Sequence, residues 1–127
     1  MAGFKSTYLA NKILGMIFGN TAYTPPVTLY CALFNVLPNA GGTGGIEVSG
    51  SGYARVAVTN NTTNFPVPTI QQVSNAAIID FGTPTGVGWG SIVGGGWYDA
   101  PTGGNLLYAG PFNPTRAGTG GLNFFIP

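Results

Sequence analysis

Glycine and proline divide this chain into short segments, and their spacing constrains the fold more than any other feature. Together Gly (22) and Pro (10) make up about a quarter of the 127 residues, and turn signals recur at intervals of roughly ten residues. Such intervals suit short strands better than the alternating strands and helices of a βαβ fold. Because 44% of the residues are apolar and 13% aromatic, disorder is not expected. The sequence predicts a turn-rich β protein.

Only the N-terminal region has a convincing helical pattern. Ser6 can cap a helix, and apolar residues then recur with helical spacing between Thr7 and Phe18. Gly19-Asn20 supplies a stop signal. We therefore predict a helix over residues 6–19, followed by a β-rich body over residues 27–126, within a single domain of residues 1–127.

The predicted body contains several short strands. They are residues 27–34, 53–59, 76–81, 88–98, 105–112 and 121–126. The glycines of the fourth segment indicate a bulge or a close approach of backbones. We expect an all-β fold, a β-sandwich or jelly-roll-like domain, with the helix at one end or over an edge.

Charge is nearly absent from the chain. Lys and Arg total 4, Asp and Glu total 3, and His is missing, so only 6% of residues are charged, against about 25% in ordinary soluble domains. Nucleic-acid binding needs several phosphate contacts from Lys and Arg, and the four cations here are scattered. No apolar run reaches the roughly 20 residues of a membrane-spanning helix. We expect neither nucleic acid nor membrane as a partner, and a surface with so little charge favours association.

The residues for catalysis are also scarce. Without His, acid–base chemistry could fall only to Glu47, Asp80 and Asp99, and nothing in their spacing pairs them. Cys31 lies in an apolar run, which indicates a buried, inert thiol, and Ser6 is better explained as a helix cap than as a nucleophile. Zinc needs clustered His, Cys or carboxylates. We predict no enzyme activity, no metal and no cofactor.

Two sets of side chains remain as candidates for a site. Trp89, Trp97, Tyr98 and Tyr108 could form an interface or a platform for a glycan, although aromatic residues on strands more often lie in a core. Glu47 and Arg55 flank a glycine-rich turn and could form a structural ion pair. Asp99 opens a predicted hairpin loop, which is common turn chemistry.

Several stretches of the chain resemble a group of small tailed-bacteriophage virion proteins. The similarity rests on Tyr-Thr-Pro-Pro-Val-Thr-Leu-Tyr at 23–30, Glu-Val-Ser-Gly-Ser-Gly-Tyr-Ala-Arg at 47–55, Trp-Gly at 89–90 and Asp-Ala-Pro-Thr-Gly-Gly-Asn-Leu-Leu-Tyr-Ala-Gly at 99–110. The similarity runs in order from about Thr7 to Phe125 and so covers nearly the whole chain. Proteins of that group are described as tail fibre or structural proteins, and some resemble capsid decoration proteins.

The resemblance implies a structural component of the virion. We expect a capsid decoration or cement protein, forming a trimer with copies of itself and contacting other virion proteins such as the major capsid protein. The alternative is a tail fibre or baseplate module that binds a host-surface glycan. No catalytic residue follows from the resemblance.

Overall fold

The structure of the chain, a computed structural model, describes residues 3–70, 73–118 and 125–126. It contains one helix, α1 (Thr7–Ile17). Its strands are β1 (Phe4–Lys5), β2 (Thr28–Val36), β3 (Ile46–Glu47), β4 (Val56–Thr59), β5 (Ile79–Asp80), β6 (Gly90–Tyr98), β7 (Leu106–Gly118) and β8 (Phe125–Ile126). This arrangement confirms an all-β fold with one short N-terminal helix.

Helix α1 begins where the sequence supplies a cap. The hydroxyl of Ser6 accepts a hydrogen bond of 3.0 Å from the backbone N–H of Leu9, satisfying one of the N–H groups that a helix start leaves unpaired. Ser6 itself is buried, and its own N–H donates to the carbonyl of Leu107. The start of the helix is therefore fixed to β7.

The strands form an antiparallel sheet in the order β1-β7-β6-β2-β3, and β4 pairs with β2 as well. Strand β2 pairs with β6 from Tyr30↔Tyr98 to Phe34↔Gly94, and β6 pairs with β7 along most of its length. A separate two-stranded sheet joins β5 to β8. Ile79 of β5 packs with Cys31 and Leu33 of β2, so this small sheet contacts one face of the central sheet.

Both faces of the central sheet carry a hydrophobic cluster. One consists of Cys31, Leu33, Val48, Ile79, Phe81, Trp89 and Ile92. The other consists of Ala32, Phe34, Leu106 and Ala109. Successive residues of β2 alternate between the two clusters because strand side chains point to opposite faces. The unbroken apolar run of β2 is therefore that of a strand buried on both sides.

Strand β6 shows both features that its glycines indicated. Its register with β7 shifts between Ile92 and Gly94 and again between Trp97 and Tyr98. At Gly96 an added Cβ would lie 2.9 Å from both the Phe34 ring and the carbonyl oxygen of Tyr108. The strand needs glycine there because its neighbours occupy the space of a side chain.

The structure also differs from the predicted strands in detail. Strand β4 begins at Val56 instead of Tyr53, β5 covers only two of the six residues predicted as a strand, and β7 extends to Gly118. Residues 121–124 of the last predicted strand lie outside the described residues. No helix within the described part is long and apolar enough to cross a membrane.

Candidate functional site

The densest polar cluster in the described chain is centred on Arg55. Its guanidinium binds both carboxylate oxygens of Glu47, through Nε at 2.9 Å and Nη2 at 2.8 Å. Its Nη1 donates to the backbone carbonyls of Ala100 at 2.8 Å and Gly103 at 2.9 Å. One side chain thus joins the turn after β3 to the loop between β6 and β7.

Two tyrosines complete this cluster. The Arg55 guanidinium lies 3.7 Å from the centre of the Tyr98 ring, which is a cation–π contact. The hydroxyl of Tyr53 donates to Glu47 at 2.7 Å and accepts from the N–H of Leu33 at 3.0 Å. The carboxylate is therefore held by a cation and a phenol, and the phenol is tied to the central strand.

Burial and charge compensation show what this cluster does. The side chain of Arg55 is only 6% exposed and that of Glu47 is 26% exposed. Burial works to lower the pKa of Arg55, but the hydrogen bond and the charge of Glu47 outweigh it and hold that pKa above its ordinary value. Burial also raises the pKa of Tyr53. Since these groups bond to one another and to backbone carbonyls of a distant loop, the cluster fixes the structure.

Asp99 holds the loop that Arg55 binds. Its carboxylate accepts hydrogen bonds from the backbone N–H of Asn105 at 2.7 Å and from the Asn105 amide at 2.9 Å. Gly104 has φ +72°, a left-handed conformation that favours glycine. These contacts shape the hairpin loop so that its carbonyls face Arg55.

The structure does not bring the four candidate aromatic residues to one surface. Trp89 is 3% exposed, within the cluster around Cys31, and its indole N–H donates to the carbonyl of Ser51. Tyr98 contacts Arg55 and packs against the cluster on the opposite face of the sheet. Both residues belong to the interior framework.

Trp97 and Tyr108 are neighbours on adjacent strands. They are register partners, and side chains at such positions share one face of a sheet. Trp97 is half-buried and meets the Phe65 ring edge-on at 5.3 Å, whereas Tyr108 is 40% exposed. Trp97 also packs against the cluster around Cys31, so Tyr108 is the one exposed residue of the four.

The remaining candidates for chemistry have structural partners or are buried. Burial raises the pKa of the Cys31 thiol to about 12, so the reactive thiolate is suppressed. The Asp80 carboxylate accepts from the N–H of Gly82 in a local turn. Among the described residues, no group of three or more His, Cys, Asp and Glu side chains could hold a metal ion.

A groove of about 350 Å³ lies beside α1 and was not predicted from the sequence. It is lined by Tyr8, Asn11, Lys12, Gly15, Thr21, Ala22 and Tyr23. It forms because the chain turns back after the helix, with Asn20 at φ 50° and the N–H of Thr21 donating to the carbonyl of Gly15 at 2.9 Å. The stop signal at Gly19-Asn20 indicates a turn there, but not the direction of the chain after it.

Comparison with known protein families gives a match over residues 5–127. The matching family is Gp80, described as podophage GP4 fiber I protein gp80. A search of curated proteins found no match.

Proposed function

Because the chain belongs to the family of the podophage GP4 fiber I protein gp80, a phage virion structural family, we propose that it is a subunit of a virion fibre. In this proposal it acts by packing against copies of itself and against neighbouring virion proteins. The match over residues 5–127 is the observation that carries the proposal.

The surface of the described chain supports a role in assembly. Large apolar side chains are exposed at the end of α1, where Leu14, Ile17 and Phe18 are spaced i, i+3 and i+4. We call these three residues the helix-end patch. A second exposed apolar set lies between β4 and β5, at Val67, Ile70, Val73 and Ile78. Apolar side chains grouped on one helix face, as in the helix-end patch, are a feature of surfaces that bind partners, whereas apolar residues exposed singly are ordinary.

The polar interior supports the same role. The hydrogen bonds of Arg55, Glu47 and Asp99 rigidify the loop and the turn that they join. A rigid subunit loses little conformational entropy when it assembles. Many weak contacts between such subunits then add up in a multivalent particle.

The family description favours a fibre over the capsid decoration role that the sequence resemblance also implied. The two roles differ in copy number, because a cement protein covers the shell whereas fibres project from few positions. Quantitative mass spectrometry of purified particles should give a small number of copies, and a whole-particle cryo-EM map should place the chain in a fibre. A copy number in the hundreds would instead support capsid decoration, and absence from mature particles would overturn both roles.

A further inference from the structure

We propose that the groove beside α1 binds a saccharide ring. The groove is defined by Tyr8, Asn11, Lys12, Gly15, Thr21, Ala22 and Tyr23. The chemistry of the groove carries the inference, which rests on the proposed fibre function only for the source of the ligand, a polysaccharide of the host surface.

The lining combines aromatic rings with short polar groups. Tyr8 and Tyr23 supply two phenol rings, while Asn11 and Thr21 supply an amide and a hydroxyl. A sugar ring has an apolar C–H face that suits an aromatic ring, and a rim of hydroxyls that suits amides and hydroxyls. The groove has a volume of about 350 Å³, which lies at the lower end of the range for small-ligand sites. The groove can therefore hold one small ring through both kinds of contact.

Gly15 keeps the floor of this groove open without any structural need for glycine. It lies inside α1, where glycine costs about 1 kcal/mol of helix stability relative to alanine. An added Cβ would meet only the Cβ of Thr21, at the ordinary contact distance of 3.8 Å. Neither packing nor backbone geometry requires glycine here. A larger side chain at residue 15 would fill the space between the helix and Thr21, and that space is the groove.

Lys12 is the one charged side chain among the residues that line the groove. The ammonium of Lys12 lies 5.3 Å from the centre of the Tyr8 ring, and within the described residues no carboxylate is within ion-pair distance of it. The ammonium can donate a hydrogen bond to a hydroxyl of a neutral sugar or to the carboxylate of an acidic one.

The test is an NMR titration of the full, ¹⁵N-labelled chain with methyl glycosides. The probes are methyl glycosides of glucose, galactose, N-acetylglucosamine and rhamnose, with glucuronic acid as the acidic comparison. We expect at least one of these glycosides to shift backbone amides of residues 8–23, with a dissociation constant in the millimolar range that is typical of small fragments. No shift with any of these probes up to roughly 50 mM, or shifts confined to amides outside residues 8–23, would overturn the proposal.

Two variants locate the site, and a third serves as a control. Gly15→Met fills the groove with a good helix former, and Tyr23→Ala removes a ring from it. We expect each to weaken binding by about tenfold or more. Tyr108→Ala, which removes an exposed ring outside the groove, should leave binding unchanged. If Tyr108→Ala abolishes binding and Gly15→Met does not, the saccharide site lies elsewhere and the inference is wrong.

This titration is independent of the test for the proposed function. Purified chain that binds no sugar but is present in virion fibres would refute the groove alone. Sugar binding by a chain absent from mature particles would refute the fibre role alone.

Discussion

Arg55 connects parts of the chain that are far apart in sequence. The carbonyls that it binds, in Ala100 and Gly103, lie 45 and 48 residues away. A planar guanidinium with five donors can serve a carboxylate and two carbonyls at once and also stack on a ring, which a lysine ammonium cannot do. At the scale of single residues, Arg55 is therefore the side chain whose identity matters most to the fold.

We predict that Arg55→Met destabilises the fold by about 3 kcal/mol, because the carboxylate of Glu47 loses its cation while it remains largely shielded from water. Arg55→Lys should destabilise it by less, since the charge is kept but the paired geometry is lost. Urea denaturation followed by tryptophan fluorescence measures both changes. Lys5→Met, which removes the same charge from an exposed side chain, is the matched control and should change stability by no more than about 0.5 kcal/mol. Equal effects of Arg55→Met and Lys5→Met would contradict this role of Arg55.

We also predict that the fold loses stability in alkali. The Cys31 thiol has a pKa of about 12 in the folded chain against 9.0 when free, so above pH 9 the unfolded chain releases a proton that the folded chain retains. Stability should hold below pH 9 and then fall as pH rises toward 12, at up to about 1.4 kcal/mol per pH unit for this group. The raised pKa of Tyr53 adds to the loss in the same direction.

Urea midpoints measured from pH 7 to pH 10.5 test this prediction. Cys31→Ala should show a shallower decline above pH 9 than the unmodified chain, whatever its stability at pH 7. Identical slopes for the two proteins would mean that the thiol is not the group responsible.

Part of the Arg55 cluster could be predicted from the sequence. Glu47 and Arg55 flank a glycine turn, so their proximity could be expected from local spacing alone. The other contacts of Arg55 and Glu47 could not be predicted from the sequence, because they depend on how β6 and β2 pair. They involve the hydroxyl of Tyr53, the ring of Tyr98 and the loop carbonyls. The same limit applies to the groove, which depends on the direction of the chain after α1.

At the scale of elements, the long strands were predictable and the short ones were not. Strands β2 and β6 have nine residues each, which is enough for composition and flanking turns to identify them. Strands β1 and β3 have two residues each, and two residues carry no period. They form strands only because they pair with the longer strands β7 and β2, so they depend on tertiary structure.

The glycines of β6 provide a prediction at this scale. Gly96→Ala should destabilise the fold by about 2 kcal/mol, because the methyl group would press on the Phe34 ring and on a backbone carbonyl that cannot move freely. Gly15→Ala is the matched control. It has room for the methyl group and should be neutral or stabilising by up to about 1 kcal/mol. Thermal unfolding followed by circular dichroism compares the two, and a Gly96→Ala variant as stable as Gly15→Ala would show that β6 and β7 can separate at little cost.

At the scale of the whole molecule, charge limits how copies of the chain can recognise one another. Of its seven charged residues, Glu47 and Arg55 already pair with each other inside the fold. Few charges remain for attraction between subunits. Apolar burial and backbone contacts must then supply most of the energy of any assembly.

Self-association should accordingly resist salt. Attraction between exposed charges weakens as ionic strength rises, whereas apolar burial does not. Sedimentation velocity of the purified chain should therefore show at least as large an oligomer fraction in about 1 M NaCl as in about 50 mM NaCl.

Phe18→Lys, in the helix-end patch, should lower that oligomer fraction at both salt concentrations because it places a charge where apolar surface must be buried. Val87→Lys makes the same kind of change at an exposed residue between two glycines, outside the patch, and should leave association intact. If high salt dissolves the oligomer, the few exposed charges contribute more to association than their number indicates. If Phe18→Lys and Val87→Lys change the oligomer fraction alike, assembly does not occur through the helix-end patch.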